Sequence, residues 1–211
     1  MKIAVIGASG KAGSEIVKEA LSRGHEVTAI VRDAAKAADS GAAVLERDVL
    51  ALTADDLRGF EAVVNAFGAP FGQEHLHVEA GNVLIGALRD NPGTRLIVVG
   101  GAGSLFVDEA KTIKVVDTPG FPDFVKPTAL NQGKNLEILQ GTEGLNWTFV
   151  SPSANFAVGT RTGSYTKGKD NLLVNSKGES YVSYADFAIV IVDEIEQPKH
   201  MRERFTVVSE S

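Results

Sequence analysis

Hydrophobic positions along the chain fall in short runs separated by longer stretches of mixed character. The runs are Ile3–Ile6, His25–Val31, Ala43–Glu46, Ala62–Ala66, Arg95–Val99, Asn146–Val150 and Arg204–Val208, each of strand length. Between them the apolar spacing changes to a helical period. Ile16, Val17, Ala20 and Leu21 mark a first helix, and His75 to Arg89 a second, with Val78, Val83, Leu84 and Leu88 as its buried side. Ala129 to Leu139 and Tyr184 to Glu196 give two more, and shorter helices are expected at 34–42 and Thr53–Leu57. Strands that alternate with helices call for parallel βαβ units, and all-apolar strands fit a sheet covered on both faces. With right-handed crossovers this predicts an α/β fold, a doubly wound parallel sheet in one domain over residues 1–211.

Two stretches break the alternation. From Ser104 to Thr128 the pattern loosens around Pro119, Pro122 and Pro127, yet Leu105, Phe106, Phe121, Phe124 and Val125 make it too apolar for a flexible linker. Long ordered connections of this kind commonly line or cover a pocket. Residues 155–183 are Gly-rich and strand-like, with Leu172–Val174 and Tyr181–Ser183 as expected strands of a small insertion over the C-terminal edge of the sheet.

The first strand carries the main chemical signal. It ends in a turn with glycines at Gly7, Gly10 and Gly13, and a helix follows at once. In this context Gly7 permits the sharp turn and Gly10 lets backbone approach a pyrophosphate on the helix N-terminus. Gly13 lets helix and strand pack closely. Ser9, Lys11 and Ala12 lie in the same turn and join the candidate cofactor-binding set. A P-loop is excluded, because Gly10-Lys11 is followed by Ala12 and no glycine stands at the required offset before it.

Composition narrows the class. The formal net charge is −6, with no run of Lys or Arg, which argues against a nucleic-acid partner. The absence of cysteine removes disulfides, thiolate nucleophiles and Cys-ligated zinc, and suits a reducing cytoplasm. No apolar stretch approaches membrane-helix length, so no membrane partner is expected. His75 and His77 lie two apart without a carboxylate cluster, so no metal site is expected. The expectation is a cytoplasmic monomer or homodimer acting on a small molecule.

In an open parallel sheet, ligands bind outside the carboxyl ends of the strands, so the residues just past each strand are the ones to weigh. Arg32, nineteen positions after Gly13, suits the 2′-phosphate of NADP; Asp33, next to it, would serve NAD. Asp48, with Val49, is placed to meet the adenine amino group. Ala66, Phe67 and Gly68 end the fourth strand, where small residues let backbone approach the ribose. Gly101 and Pro152 end the fifth and sixth, and complete the cofactor set. Ser104, just past the fifth strand, and Lys126, in the Pro-rich connection, are the candidate catalytic groups. Phe121, Phe156 or Tyr165 would supply an apolar wall.

These residues resemble a known family. GASGKAG at 7–13, Val31-Arg32-Asp33, Asp48-Val49 and VVGGAGSL at 98–105 are similar to the atypical short-chain dehydrogenases, specifically the NmrA-like and NADH-flavin reductase group. DTPGFPDFVK (117–126), WTFVSPSANF (147–156) and the region around Tyr165 extend the resemblance over essentially the whole chain. It implies a Rossmann fold that binds NADP or NAD. Typical members of the wider superfamily reduce carbonyls with a Tyr-x-x-x-Lys pair. That pair is expected to be missing, because Tyr165, Tyr181 and Tyr184 all come after the sixth strand and position 122, four before Lys126, is proline. A flavin or quinone acceptor needs no dedicated acid, and hydride transfer from NADPH to such an acceptor is the leading expectation. The alternative is a non-catalytic NADP-binding redox sensor of the NmrA type.

Overall fold

The computed structural model describes residues 1–210. In chain order its main elements are β1 (Lys2–Ile6), α1 (Lys11–Ser22), β2 (Glu26–Val31), β3 (Ala43–Glu46), β4 (Ala62–Asn65), α2 (Leu76–Leu88) and β5 (Arg95–Val99). Next come α3 (Lys126–Gln140), β6 (Trp147–Ser151), β7 (Asn155–Ala157), β8 (Tyr165–Gly168), β9 (Tyr181–Ser183), α4 (Tyr184–Glu196) and β10 (Glu203–Ser209). The sheet runs β3-β2-β1-β4-β5-β6-β10-β8. Its first seven strands are parallel, and the order reverses between β1 and β4, the switch point at which such sheets bind ligands.

Each face of the sheet has its own apolar core. On one, Ile16 and Val17 of α1 and Phe187 and Ile191 of α4 pack over Ile3, Val5 and Val207. On the other, Leu84 and Leu88 of α2 and Leu136 of α3 cover Ala4, Val63, Trp147 and Phe149. Val78 and Val83 are only half-buried; the fully covered side of α2 is carried by His77, Ala80, Leu84, Ile85 and Leu88. Thr53–Leu57 is a turn instead of a helix, closed by the Asp56 carboxylate, which accepts from both the N–H and the hydroxyl of Thr53, each at 2.9 Å. Residues 34–40 form a 3₁₀ helix capped by Asp33.

The insertion differs from expectation. Leu172–Val174 forms no strand; the backbone there meets its neighbour only through an isolated bridge from Asn171 to Phe106. Leu173 instead packs over Gly168, where a Cβ would lie 3.0 Å from it. The strand is Tyr165–Gly168, which pairs antiparallel with β10 and becomes the edge of the main sheet. Its polar residues hid it, since an edge strand needs only one buried face. β7 and β9 form a separate parallel pair. The long connection is pinned to this region, with Phe106 N–H donating to Asp170 C=O at 2.9 Å and Leu172 N–H to Phe106 C=O at 2.8 Å.

Candidate functional site

A cleft of about 520 Å³ crosses the C-terminal ends of the strands, from β3 to β5. Four inter-strand spacings separate those two strands, roughly 19 Å, long enough for an extended dinucleotide. The glycine turn lies at its centre. Gly7 has φ +71°, and a Cβ on it would lie 2.6 Å from the carbonyl oxygen of Ala66, so backbone from two strands meets there with no room for a side chain. Gly10 N–H donates to Gly7 C=O at 2.9 Å and closes the turn. A Cβ on Gly13 would stand 2.2 Å from the same Gly7 oxygen. Gly13 therefore packs behind the turn, while Gly7, Ser9, Gly10, Lys11 and Ala12 line the cleft. No side chain caps α1. The first-turn N–H groups, which a helix leaves without intrahelical acceptors, are thus free for an anion. These features fit a pyrophosphate on residues 7–12.

At the β2–β3 end, Arg32, Arg47 and Val49 line the cleft. The neighbouring carboxylates are all engaged by backbone: Asp33 accepts from Ala35 N–H at 3.1 Å, Glu46 from Ala34 N–H at 2.7 Å and Asp48 from Leu50 N–H at 2.8 Å. Asp48 is absent from the lining and serves as a cap; Val49 presents the apolar surface there instead. Arg47 donates one bond to Asp56 at 3.2 Å, and Arg32 is exposed with no side-chain partner among the described residues. The charged side chains that line this end are both arginines.

The middle is formed by Ala66, Phe67 and Gly68. His77, buried beneath it, lies edge-on to Phe67 (centroids 5.8 Å) and takes the Ala69 N–H at 3.4 Å on Nε2. Burial holds its pKa below the ordinary histidine value.

The β5 end is lined by Val99, Gly100, Val125, Thr128, Gln132, Phe156 and Tyr184. Gly101 lies one step behind, with the Gln132 Oε1 only 2.1 Å from where its Cβ would be. Pro152 is buried and Lys126, the first residue of α3, is exposed; neither lines the cleft. Ser104 is also outside it, buried with its hydroxyl taking a bond from Arg204 Nη1 at 3.3 Å, and Arg204 is fixed in turn by Asp170 at 2.9 Å. Of the expected aromatic wall only Phe156 faces the cleft; Phe121 and Tyr165 do not.

Arg47, Phe71, Thr128, Gln132 and Tyr184 line the cleft without having been singled out in the sequence. Thr128 and Gln132, four apart on one helix, carried a spacing signal that a helix begun at Ala129 concealed. The tyrosine–lysine expectation also needs a correction. Tyr165 does have a lysine four residues on, Lys169. Tyr165 stands on edge strand β8, however, with its phenol donating to Asp193 and its pKa pushed upward, first by burial and then by that bond. A strand at the sheet edge carries it away from the cleft lining.

The chain matches the NAD(P)H-binding family over residues 7–198. It belongs to that family. Over its full length it is 65% identical to the uncharacterized protein YwnB of Bacillus subtilis (strain 168), with all of both chains covered. Among solved structures, SP1627 of Streptococcus pneumoniae TIGR4, named a "putative NADH-flavin reductase", is 46% identical with a TM-score of 0.94 over 99% of each chain. An epimerase-named protein of Bacteroides thetaiotaomicron is 34% identical with a TM-score of 0.89, over 100% of this chain and 97% of that one. The chain is thus an NAD(P)H-binding member of the atypical short-chain dehydrogenases, with the Rossmann-type sheet that the resemblance implied.

Proposed function

We propose that the protein is an NADPH-dependent reductase that delivers a hydride to a flavin, quinone or similar conjugated acceptor. The observation that carries this reading is the asymmetry of the cleft, lined by arginines at the β2–β3 end and by side chains without formal charge at the β5 end. The glycine turn and the bare start of α1 would hold the pyrophosphate. Arg32 and Arg47 would take the 2′-phosphate through charge-assisted bonds, and Asp33, Glu46 and Asp48 are each held in place by a backbone N–H. When bound, the reduced nicotinamide would supply a hydride, two electrons with one proton, and the acceptor would draw its second proton from solvent. The protein's part, at the β5 end, is to orient the acceptor and limit water. Val99, Val125 and Phe156 give that end apolar surface, and among the described residues no carboxylate lines it; Tyr184 is its one ionisable side chain. The names of relatives such as SP1627 support the same reading.

Steady-state oxidation of NADPH with a panel of flavins and quinones tests it. Turnover with at least one conjugated acceptor, with NADPH preferred over NADH, is the expected result. Tight NADPH binding with no turnover on any acceptor would instead make the protein a dinucleotide-binding sensor.

A further inference from the structure

We propose that the β5 end of the cleft is an acceptor subsite for an uncharged, carbonyl-bearing conjugated ring, held by hydrogen bonds from Thr128 and Gln132. The proposal rests on the reductase reading above and names the class of molecule that reading leaves open.

Thr128 and Gln132 stand four residues apart on α3, which places them one above the other on the same face. Both line the cleft, and neither side chain has a hydrogen-bond partner among the described residues. Together they offer a hydroxyl, an amide N–H₂ and an amide oxygen, a set that matches ring carbonyls and an adjoining ring N–H. The amide is also positioned. Its oxygen lies 2.1 Å from where a Cβ of Gly101 would be, so the absence of a side chain there is what lets Gln132 reach down to the end of β5.

The opposite wall is aromatic and fixed. Phe156 packs against Tyr184 with centroids 4.3 Å apart and against the buried Phe187 at 4.7 Å. A planar ring set between this wall and the α3 pair would be both covered and hydrogen-bonded.

Charge decides the class. The cationic residues of the cleft are Lys11, Arg32 and Arg47, all on the glycine turn or the β2–β3 end. At the β5 end the lining residues Val99, Gly100, Val125, Thr128, Gln132, Phe156 and Tyr184 carry no formal charge at neutral pH. A carboxylate or phosphate buried among these side chains would lose water without gaining a counter-charge from them, and Lys126, the first residue of α3, is exposed outside the lining. Recognition therefore falls on the ring and not on an anionic tail.

The test uses one ring with and without a charge. Riboflavin and FMN are titrated, by flavin fluorescence, into protein saturated with NADP⁺, so the readout is binding and not turnover. Dissociation constants within about threefold of each other are expected. FMN binding tenfold or more tightly than riboflavin would overturn the proposal. Thr128→Val and Gln132→Leu should each weaken riboflavin by roughly five- to tenfold, the worth of a neutral hydrogen bond, while NADP⁺ affinity stays within twofold. A parallel fall in NADP⁺ affinity would assign both residues to the cofactor and overturn the subsite. Menadione, uncharged but without a ring N–H, extends the test: competition with riboflavin that depends on Thr128 supports the class, and failure of both rings to bind defeats it. Absence of NADPH oxidation in the presence of this binding pattern would sink the reductase reading while leaving the subsite standing.

Discussion

The two ends of the cleft are built in different ways. Around the glycine turn the determinants are main chain: three close approaches, a positive φ at Gly7 and an uncapped helix start. At the β5 end they are side chains on α3 and after β6, set against an aromatic wall. One end is fixed by what backbone cannot avoid, the other by which side chains happen to point inward. The first should tolerate almost no substitution and bind one ligand; the second should be tunable.

The same substitution made at each end gives the sharpest test. In Gly13→Ala the new Cβ would fall 2.2 Å from a backbone oxygen that has nowhere to go. Overpacking of about 3 kcal/mol corresponds to roughly 100-fold weaker NADPH binding if it is expressed in the turn. If it is expressed in the fold, Tm drops by about 6–12 °C. Calorimetric titration and thermal melts separate these outcomes. In Gly101→Ala the intruding neighbour is the end of the Gln132 side chain, which can swing away. Tm and NADPH affinity should then hold, while acceptor binding falls by about as much as in Gln132→Leu. Equal damage at both positions would erase the contrast.

The next effect is confined to the arginine-lined end. Arg32→Glu should weaken NADPH by about 30-fold or more and NADH by no more than about threefold, as expected for loss of a charge-assisted bond to a phosphate. Arg47→Gln should have a smaller effect in the same direction, because Arg47 already shares its charge with Asp56. Equal losses for the two dinucleotides, measured by titration, would remove the 2′-phosphate from this end.

The legibility of the site in the sequence divides along the same line. Gly7, Gly10 and Gly13 were visible because a turn imposed by backbone leaves glycines at fixed offsets. Arg32 was visible because it is the first residue past β2, at the carboxyl edge of the sheet. Thr128 was not, because apolar spacing placed the start of α3 at Ala129, whereas the helix begins at Lys126 with Pro127 in its first turn; Gln132, inside the expected helix, then had no polar partner four residues before it to mark its face. Proline is tolerated in that turn since its missing N–H would have had no helical partner. Read as the end of a Pro-rich loop, Thr128 carried no facing direction. Edge strand β8 was missed for a related reason: Tyr-Thr-Lys-Gly has too little apolar content to register, and its pairing with β10 is long-range.

His77 gives a subtler test at the junction of the two ends. Its folded-state pKa is depressed, so below the ordinary histidine range the unfolded chain binds a proton that the folded chain refuses. Stability therefore falls as pH drops through that range, and it is fully present above it. Melts from pH 7.5 to 5.5 should show a smaller decline in His77→Gln than in the wild type. Identical pH dependence would mean that His77 is not titrating against its burial.

The smallest expected effects belong to Ser104 and Lys126. Ser104→Ala removes a bond to Arg204 that lies on the β10 side of the fold, so it should cost about 1 kcal/mol of stability and little else. Lys126→Ala removes an exposed amine outside the cleft lining, and NADPH oxidation should stay within about twofold. A direct role in holding or polarising the acceptor would instead lower kcat with any acceptor while leaving NADPH affinity intact. A large loss of that kind in Ser104→Ala would place the reacting atoms toward Arg204 and Asp170, and the β5 end would then be charged after all. The neutrality of that end is therefore tested most directly by the residue that sequence position alone placed in it, because Arg204 is the cation that Ser104 would bring to bear.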